Sequence, residues 1–305
     1  THEFIATAHE DQKFGLSLTA GDAFEAVRRT LAAQRLDLVG LHSHIGSQIF
    51  DTGGFEVAAR RILGLVAQVR DELGHTISQL DLGGGFGVMY NTQHTPQSPE
   101  ALASGIAEIV VRQCRDLELE VPHLSFEPGR AIAGPSTQTL YTVGTIKDVR
   151  LGGPHHRLYV SVDGGMSDNV RTALYDADYS CLLTGRVSDA SPEVVRVVGK
   201  HCESGDIVVK DEYLPGDVRT GDLISVPVTG AYCYSLASNY NHVPRPPVVA
   251  VRDGAAHDFP NPEPVDHEGV PEGFTAYRIS LATDEAIVGE VAAAGPDAVL
   301  LAPPE

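Results

Sequence analysis

The chain has 305 residues, 42% of them apolar, which is enough for a substantial core in one large or two modest domains. Its net charge is −19, and an acidic surface repels phosphate backbones, so nucleic acid is not an expected partner. No apolar run approaches the roughly 18 residues of a membrane span. The opening THEFIATAHEDQKFG has neither the basic region nor the apolar region of a secretory signal. It also starts without Met, inside what reads as a loop, so a fragment is expected. Cys114, Cys181, Cys202 and Cys233 show no CxxC pairing or zinc-ligand spacing, which points to reduced thiols in a cytoplasmic protein. The acidity is uneven: residues 253–305 hold eleven Asp or Glu against one Arg, a net −10 that leaves −9 for the rest.

In chain order, KFGL near residue 13 reads as a first strand. Phe24, Val27 and Leu31 then share one helical face. LDLVGLHSHIG (36–46) begins apolar and ends polar, and QLDLGGGFG (79–87) and HLSFEPGR (123–130) repeat that design. Between them, Phe55, Ala58, Ile62, Leu65, Val69 and Leu73 line a second helix. Ile106, Ile109 and Val110 line a third, which Ser98-Pro99 can start with a cap and an N1 proline. Alternating strands and helices imply parallel strands with crossover helices. The chemically useful residues sit at the C-terminal strand ends, where such folds place their sites. About four strands of this kind would be half of the eight that a (β/α)8 barrel needs.

After Pro135 the texture changes to β-rich runs separated by Gly, Pro and Asp turns. This predicts a mostly antiparallel β domain over 136–252, after an α/β domain over 1–135. From residue 253 a Pro- and acid-rich stretch reads as a linker, followed by a small β-α-β piece.

Several constellations could carry chemistry. GGGFG (83–87) lets backbone N–H groups approach an anion, though a tight structural turn explains it equally well; Val88 rules out a dinucleotide fingerprint. In EPGR (127–130), Glu127 could pair with a cationic ring nitrogen and Arg130 could clamp an anion, or the two could form a strand-end ion pair. His42 and His44 share a strand face, as metal ligands of a barrel hydrolase would, but the later strands end in glycines and EPGR instead of further ligands. Alternatively one imidazole stacks on a planar cofactor whose phosphate meets Ser47 and Gly46. In HCESGD (201–206), Cys202 in a turn beside Glu203 could donate a proton, or could be a buried structural thiol. Arg171 and Tyr175 lie four apart in a polar stretch, and Tyr232 directly follows a strand; each also has an ordinary reading as turn or core rim.

Taken in order, KFG, GLHSHIGSQIFD, LDLGGGFG, FEPGRAIAGP, VDGGMSDNVRTALY, GKHCESGD and VPVTGAYCYSLASNYNHVPRPPVV resemble the diaminopimelate decarboxylase family. This is the lysine-forming branch of the fold type III, alanine-racemase-like decarboxylases, and the likeness covers about residues 10–250. The resemblance implies a pyridoxal 5'-phosphate enzyme built as a (β/α)8 barrel followed by a β domain. It implies His44 stacked on the pyridoxal ring, with the phosphate held by Ser47, the backbone at Gly84 and Gly85, and the turn at Gly129 and Arg130. Glu127 would face the ring nitrogen and Tyr232 would close over the phosphate. The substrate, an amino acid, would meet Arg130, Arg171, Tyr175, Glu203 and Tyr232, and Cys202 would be the proton donor. It also implies a homodimer whose active sites are shared between subunits.

Two departures accompany the likeness. The family's cofactor-anchoring lysine belongs to a segment upstream of these motifs, and the lysines here are Lys13, Lys147, Lys200 and Lys210. The 305 residues by themselves are therefore expected to be inactive, which leaves open a non-catalytic homologue that pairs with an active decarboxylase. The acidic tail has no counterpart in the expected basic closing strand.

Overall fold

The computed structural model describes residues 13–152 and 155–252, together with short strands further on. The chain divides into two compact units, Thr1–Ala237 and Ser238–Glu305. Among the described residues no helix is long and apolar enough to cross a membrane.

In the first unit, three helices, α1 (Asp22–Ala32), α2 (Gly53–Leu73) and α3 (Pro99–Asp116), alternate with three strands, β1 (Gly40–His42), β2 (Gln79–Asp81) and β3 (His123–Ser125). The Ser98 Oγ accepts the Ala101 N–H at 3.2 Å and Pro99 occupies the first turn, so α3 starts where its cap residues dictate. Gly74, at φ 64°, closes α2 and donates its N–H to the Arg70 carbonyl. The strands form one parallel sheet in the order β1-β2-β3. Its register pairs Gln79 with Gly40 on one side and His123 on the other, and Asp81 with His42 and Ser125. All three C-terminal ends therefore finish level, and the loops that follow lie side by side.

The helical faces close over this sheet. Phe55, Leu63, Val69, Leu80, Leu82, Ile106 and Val110 are fully or almost fully buried in one cluster. Leu31 differs from the expected α1 face: Val27 is buried, but Leu31 stays exposed. KFGL does not form a strand either; its residues form a bend that leaves Phe14 and Leu16 in solvent.

Six further strands follow: β4 (Gln138–Gly152), β5 (His155–Val162), β6 (Leu182–Thr184), β7 (Pro192–Val198), β8 (Ile207–Pro215) and β9 (Leu223–Pro227). They make a sheet in the order β6-β9-β4-β5-β7-β8, antiparallel except between β5 and β7. Its core is Val143, Val160, Val195, Val197, Val208, Val209, Ile224 and their neighbours. Val88 and Tyr90, from the segment after the glycine loop, are built into it. A short helix, α4 (Gly129–Ala133), follows β3, and another, α5 (Arg171–Tyr175), follows β5.

Taken by itself, the second unit pairs β10 (Val249–Arg252) with β11 (Ala255–Asp258) and β12 (Glu263–Val265) with β13 (Ala276–Arg278), both antiparallel. The expected helix and last strand of the tail, in DEAIVGEVAAAG and DAVLLAP, lie outside the described residues.

Two outcomes test this packing. Phe55→Ala removes a fully buried ring and should cost about 3–5 kcal/mol in urea denaturation. Arg186 grips Asp222 with two bonds of 2.7 and 2.8 Å, which holds its carboxyl at about 2, below its ordinary 3.8. A depressed folded value contributes stability that is complete above the unfolded value and lost as pH falls toward 2. The stability gap between wild type and Asp222→Asn should therefore be full at pH 6 and shrink between about pH 4 and 2.

Candidate functional site

The level strand ends interlock through their backbones. Ser43 N donates to the Asp81 carbonyl at 2.9 Å, Leu82 N to that of Ser125 at 3.1 Å, and Glu127 N to that of Gly83 at 3.0 Å. Further out, Ile49 N donates to the Gly85 carbonyl and Gly87 N to that of Ile49, both at 2.9 Å. These contacts account for the glycines. A Cβ on Gly84 would lie 2.2 Å from the Glu127 carbonyl oxygen, and one on Gly85 (φ 94°) would lie 2.2 Å from that of Gly46. The central loop can fit between its neighbours only without side chains.

Around this interlock the side chains form two groups. In the first, the Glu127 Oε2 lies 3.4 Å from the His42 Nε2, and Asp81 joins them with all ligand atoms within 4.8 Å of one another. Asp81 also accepts the Gly83 N–H at 2.8 Å. Asp81 thus adds a carboxylate at a later strand end, beside the Glu127 of EPGR, where no further ligand was expected. The trio uses His42 and Glu127; His44, also exposed, sits against Gly83 instead.

The second group is cationic and buried. Arg130, 8% exposed, donates from Nη1 to the Tyr90 hydroxyl at 2.6 Å and from Nη2 to the Ser47 Oγ at 2.7 Å. Arg171, 5% exposed, donates to the same Tyr90 oxygen at 3.1 Å and to the Tyr179 hydroxyl. The Tyr232 ring covers both guanidiniums, 4.8 Å from Arg130 and 5.9 Å from Arg171, and its backbone is held at φ 67° to do so. Among the described residues no carboxylate pairs with either arginine. Ser47, Arg130, Arg171 and Tyr232 are therefore brought together as one positively charged cluster, while Tyr175 closes α5 one turn beyond Arg171.

Cys202 and Glu203 form a third element, on the turn after β7. The Cys202 Sγ lies 3.6 Å from the Glu203 Oε1. Asp206, 3% exposed, shapes the turn: its Oδ2 accepts the His201 N–H at 2.7 Å, and its Oδ1 accepts the Met166 N–H at 2.6 Å. His201 also reaches Ser167 through Nε2 at 2.9 Å. Of the four cysteines, none in a disulfide, Cys202 alone is exposed. Burial pushes the thiols of Cys114 and Cys233 up, and that of Cys181 to about 12, so these three stay protonated and inert. Tyr90, Tyr179, Asp81 and Asp206 were not singled out by sequence.

Residues 1–134 match the family model described as pyridoxal-dependent decarboxylase, pyridoxal binding domain. Over these residues the chain is similar to the pyridoxal-dependent decarboxylases. Over most of its length it is similar to diaminopimelate decarboxylases. It is 57% identical over 270 residues to the diaminopimelate decarboxylase of Mycobacterium tuberculosis, covering 87% of this chain and 60% of that one. It is 44% identical over 257 residues to the enzyme of that name from Bacillus subtilis, covering 84% and 57%. Among solved structures it resembles the diaminopimelate decarboxylase of M. jannaschii in complex with L-lysine, with a TM-score of 0.73, 30% identity, and 82% and 58% of the two chains covered. The chain thus spans about 60% of the length of the curated relatives it matches.

Gly84→Ala tests the interlock. The added methyl meets backbone, not a flexible side chain, so a loss of about 1–3 kcal/mol or more is expected in urea denaturation. Substitution at Gly129, which faces open space, should be near neutral by the same measurement.

Proposed function

We propose that this chain takes part in the pyridoxal-phosphate-dependent decarboxylation of meso-diaminopimelate to L-lysine and CO2, in the cytoplasm. The observation that carries this is the pair of buried guanidiniums, Arg130 and Arg171, which share neutral acceptors and have no carboxylate partner among the described residues. Such a pair retains its positive charge for an anionic ligand. The family likeness and the lysine bound in similar solved structures agree with an amino-acid substrate.

The residues present fit the cofactor. A phosphate needs cationic and hydroxyl donors, and Arg130 and Ser47 already point into one place. A ring nitrogen needs a carboxylate, and the Glu127 side chain is exposed at a neighbouring strand end, 3.4 Å from His42. Gly84, Gly85 and Gly129 would bring backbone close to the phosphate, and Tyr232 would cover it. When bound, the cofactor supplies the electron sink for loss of the α-carboxylate. This chain's own residues would do the rest. Arg130, Arg171 and Tyr175 hold the substrate, with Tyr232 above it; Glu203 meets its charged amine; and Cys202, the exposed thiol, delivers the proton that replaces CO2.

On the same reading, residues 1–135 are the C-terminal half of a (β/α)8 barrel, residues 136–252 are the β domain, and residues 253–305 are a linker and tail. The Cys202 turn would serve a second subunit's site in a homodimer.

The test pairs this chain with the Mycobacterium tuberculosis relative whose corresponding cysteine is replaced by alanine, supplied with pyridoxal phosphate and meso-diaminopimelate. Restored CO2 release and lysine formation are expected, and Cys202→Ala in this chain should abolish the rescue. Mixed subunits that form without any lysine production would overturn the assignment.

A further inference from the structure

We infer that Tyr90 is the positioning residue that sets Arg130 and Arg171 at the spacing needed to grip one carboxylate of the substrate; this rests on the function proposed above. The two arginines come from different parts of the unit, one from α4 behind the parallel sheet and the other from α5 behind β5. Nothing in either element fixes their mutual distance, and like charges repel. Under the shared ring of Tyr232, the hydrogen bonds that join them converge on one oxygen. The Tyr90 hydroxyl accepts from Arg130 at 2.6 Å and from Arg171 at 3.1 Å, which uses both of its lone pairs.

Tyr90 is suited to hold that oxygen still. The residue is 4% exposed, and its ring meets that of Tyr179 edge-on at 5.1 Å. Its N–H donates to the His94 Nδ1 at 3.2 Å, and its carbonyl accepts from both the N and the Oγ of Ser180, at 3.1 and 2.9 Å. An aspartate or glutamate here would also bridge two guanidiniums, but it would neutralise the site. A phenol bridges them and leaves their charge for the ligand. The Oγ of Ser47 at the far side of Arg130 and the hydroxyl of Tyr179 at the far side of Arg171 are likewise uncharged. The whole row therefore stays cationic, and Tyr90 is the only member bonded to both arginines.

Tyr90→Phe keeps the ring and removes the shared oxygen. In the protein carrying this chain, loaded with pyridoxal phosphate, KM for meso-diaminopimelate should rise about tenfold, roughly one net hydrogen bond. kcat should change less than about twofold, because the variant removes binding geometry and not the proton donor. In the cofactor-free protein, L-lysine should raise the melting temperature of wild type but not of Y90F, while inorganic phosphate should act on both. Replacing Tyr90 with 4-aminophenylalanine fills the same volume with a donor where the acceptor was, and should behave like Y90F. Restoration of wild-type KM by the amino analogue would show a packing role and overturn the proposal, as would an unchanged KM in Y90F. Loss of the phosphate response with the lysine response intact would assign the pair to the cofactor phosphate and overturn it as well. A wild type that neither turns over diaminopimelate nor responds to lysine would instead defeat the underlying function.

Discussion

Two buried positive charges sharing one neutral oxygen are the constraint that the rest of the first unit accommodates. Unit charges about 5 Å apart at an effective dielectric constant of about 20 repel by roughly 3 kcal/mol, before the cost of removing each from water. Most buried arginines settle this with a carboxylate. Arg130 and Arg171 instead meet hydroxyls from Ser47, Tyr90 and Tyr179 and the face of Tyr232. The scaffold must hold those neutral groups tightly enough to make up the difference. The Thr172 Oγ1 ties α5 to the Val208 carbonyl of β8 at 3.1 Å, and the loop before Arg130 is locked by the Glu127 N–H to the Gly83 carbonyl. The valine-rich core of the larger sheet, with Tyr90 embedded in it, supplies the rigidity behind the cationic pair.

Much of the architecture was legible because it repeats. The α2 face from Phe55 to Val69 recurs at helical spacing and is buried as expected; the α3 cap follows from Ser98 and Pro99. The apolar runs mark the strands but not their bounds. LDLVGLHSHIG contributes only Gly40–His42 to the ladder, because the residues beyond leave the sheet to bond neighbouring loops. KFGL has strand-like composition, but among the described residues it pairs with no strand. Leu31 has the right phase on α1, and its exposure depends on how far α1 reaches over the core, which periodicity does not encode.

The site was legible where residues cluster in sequence and opaque where they act alone. Ser47, Arg130, Arg171 and Tyr232 were each marked by a motif, and they converge. Tyr90 and Tyr179 were not marked. A lone tyrosine has no spacing to read, and Tyr90 bonds partners 40 and 81 positions away. His42 reads as a metal ligand or a stacking imidazole, and Glu127 as a partner for a ring nitrogen or for Arg130; neither reading pairs the two with each other. Their approach to 3.4 Å depends on the register of three parallel strands, which no single segment contains.

Asp206 extends the same logic to the thiol. One buried carboxylate accepts N–H groups from Met166, on the loop leading to Arg171, and from His201, on the turn carrying Cys202. Added methyl groups at Gly165 or Gly199 would fall 2.6 and 2.2 Å from its oxygens, so both loops are glycine at the points where they touch it. The turn with the exposed thiol and the loop with the buried arginine are therefore one body and not two independent loops. Any motion that carries Cys202 toward a ligand must also carry the segment that leads to Arg171, or break two short bonds to a buried charge. Both segments extend from strands joined in the β7–β8 and β5–β7 ladders, so their juxtaposition is a property of the sheet and not of loop flexibility.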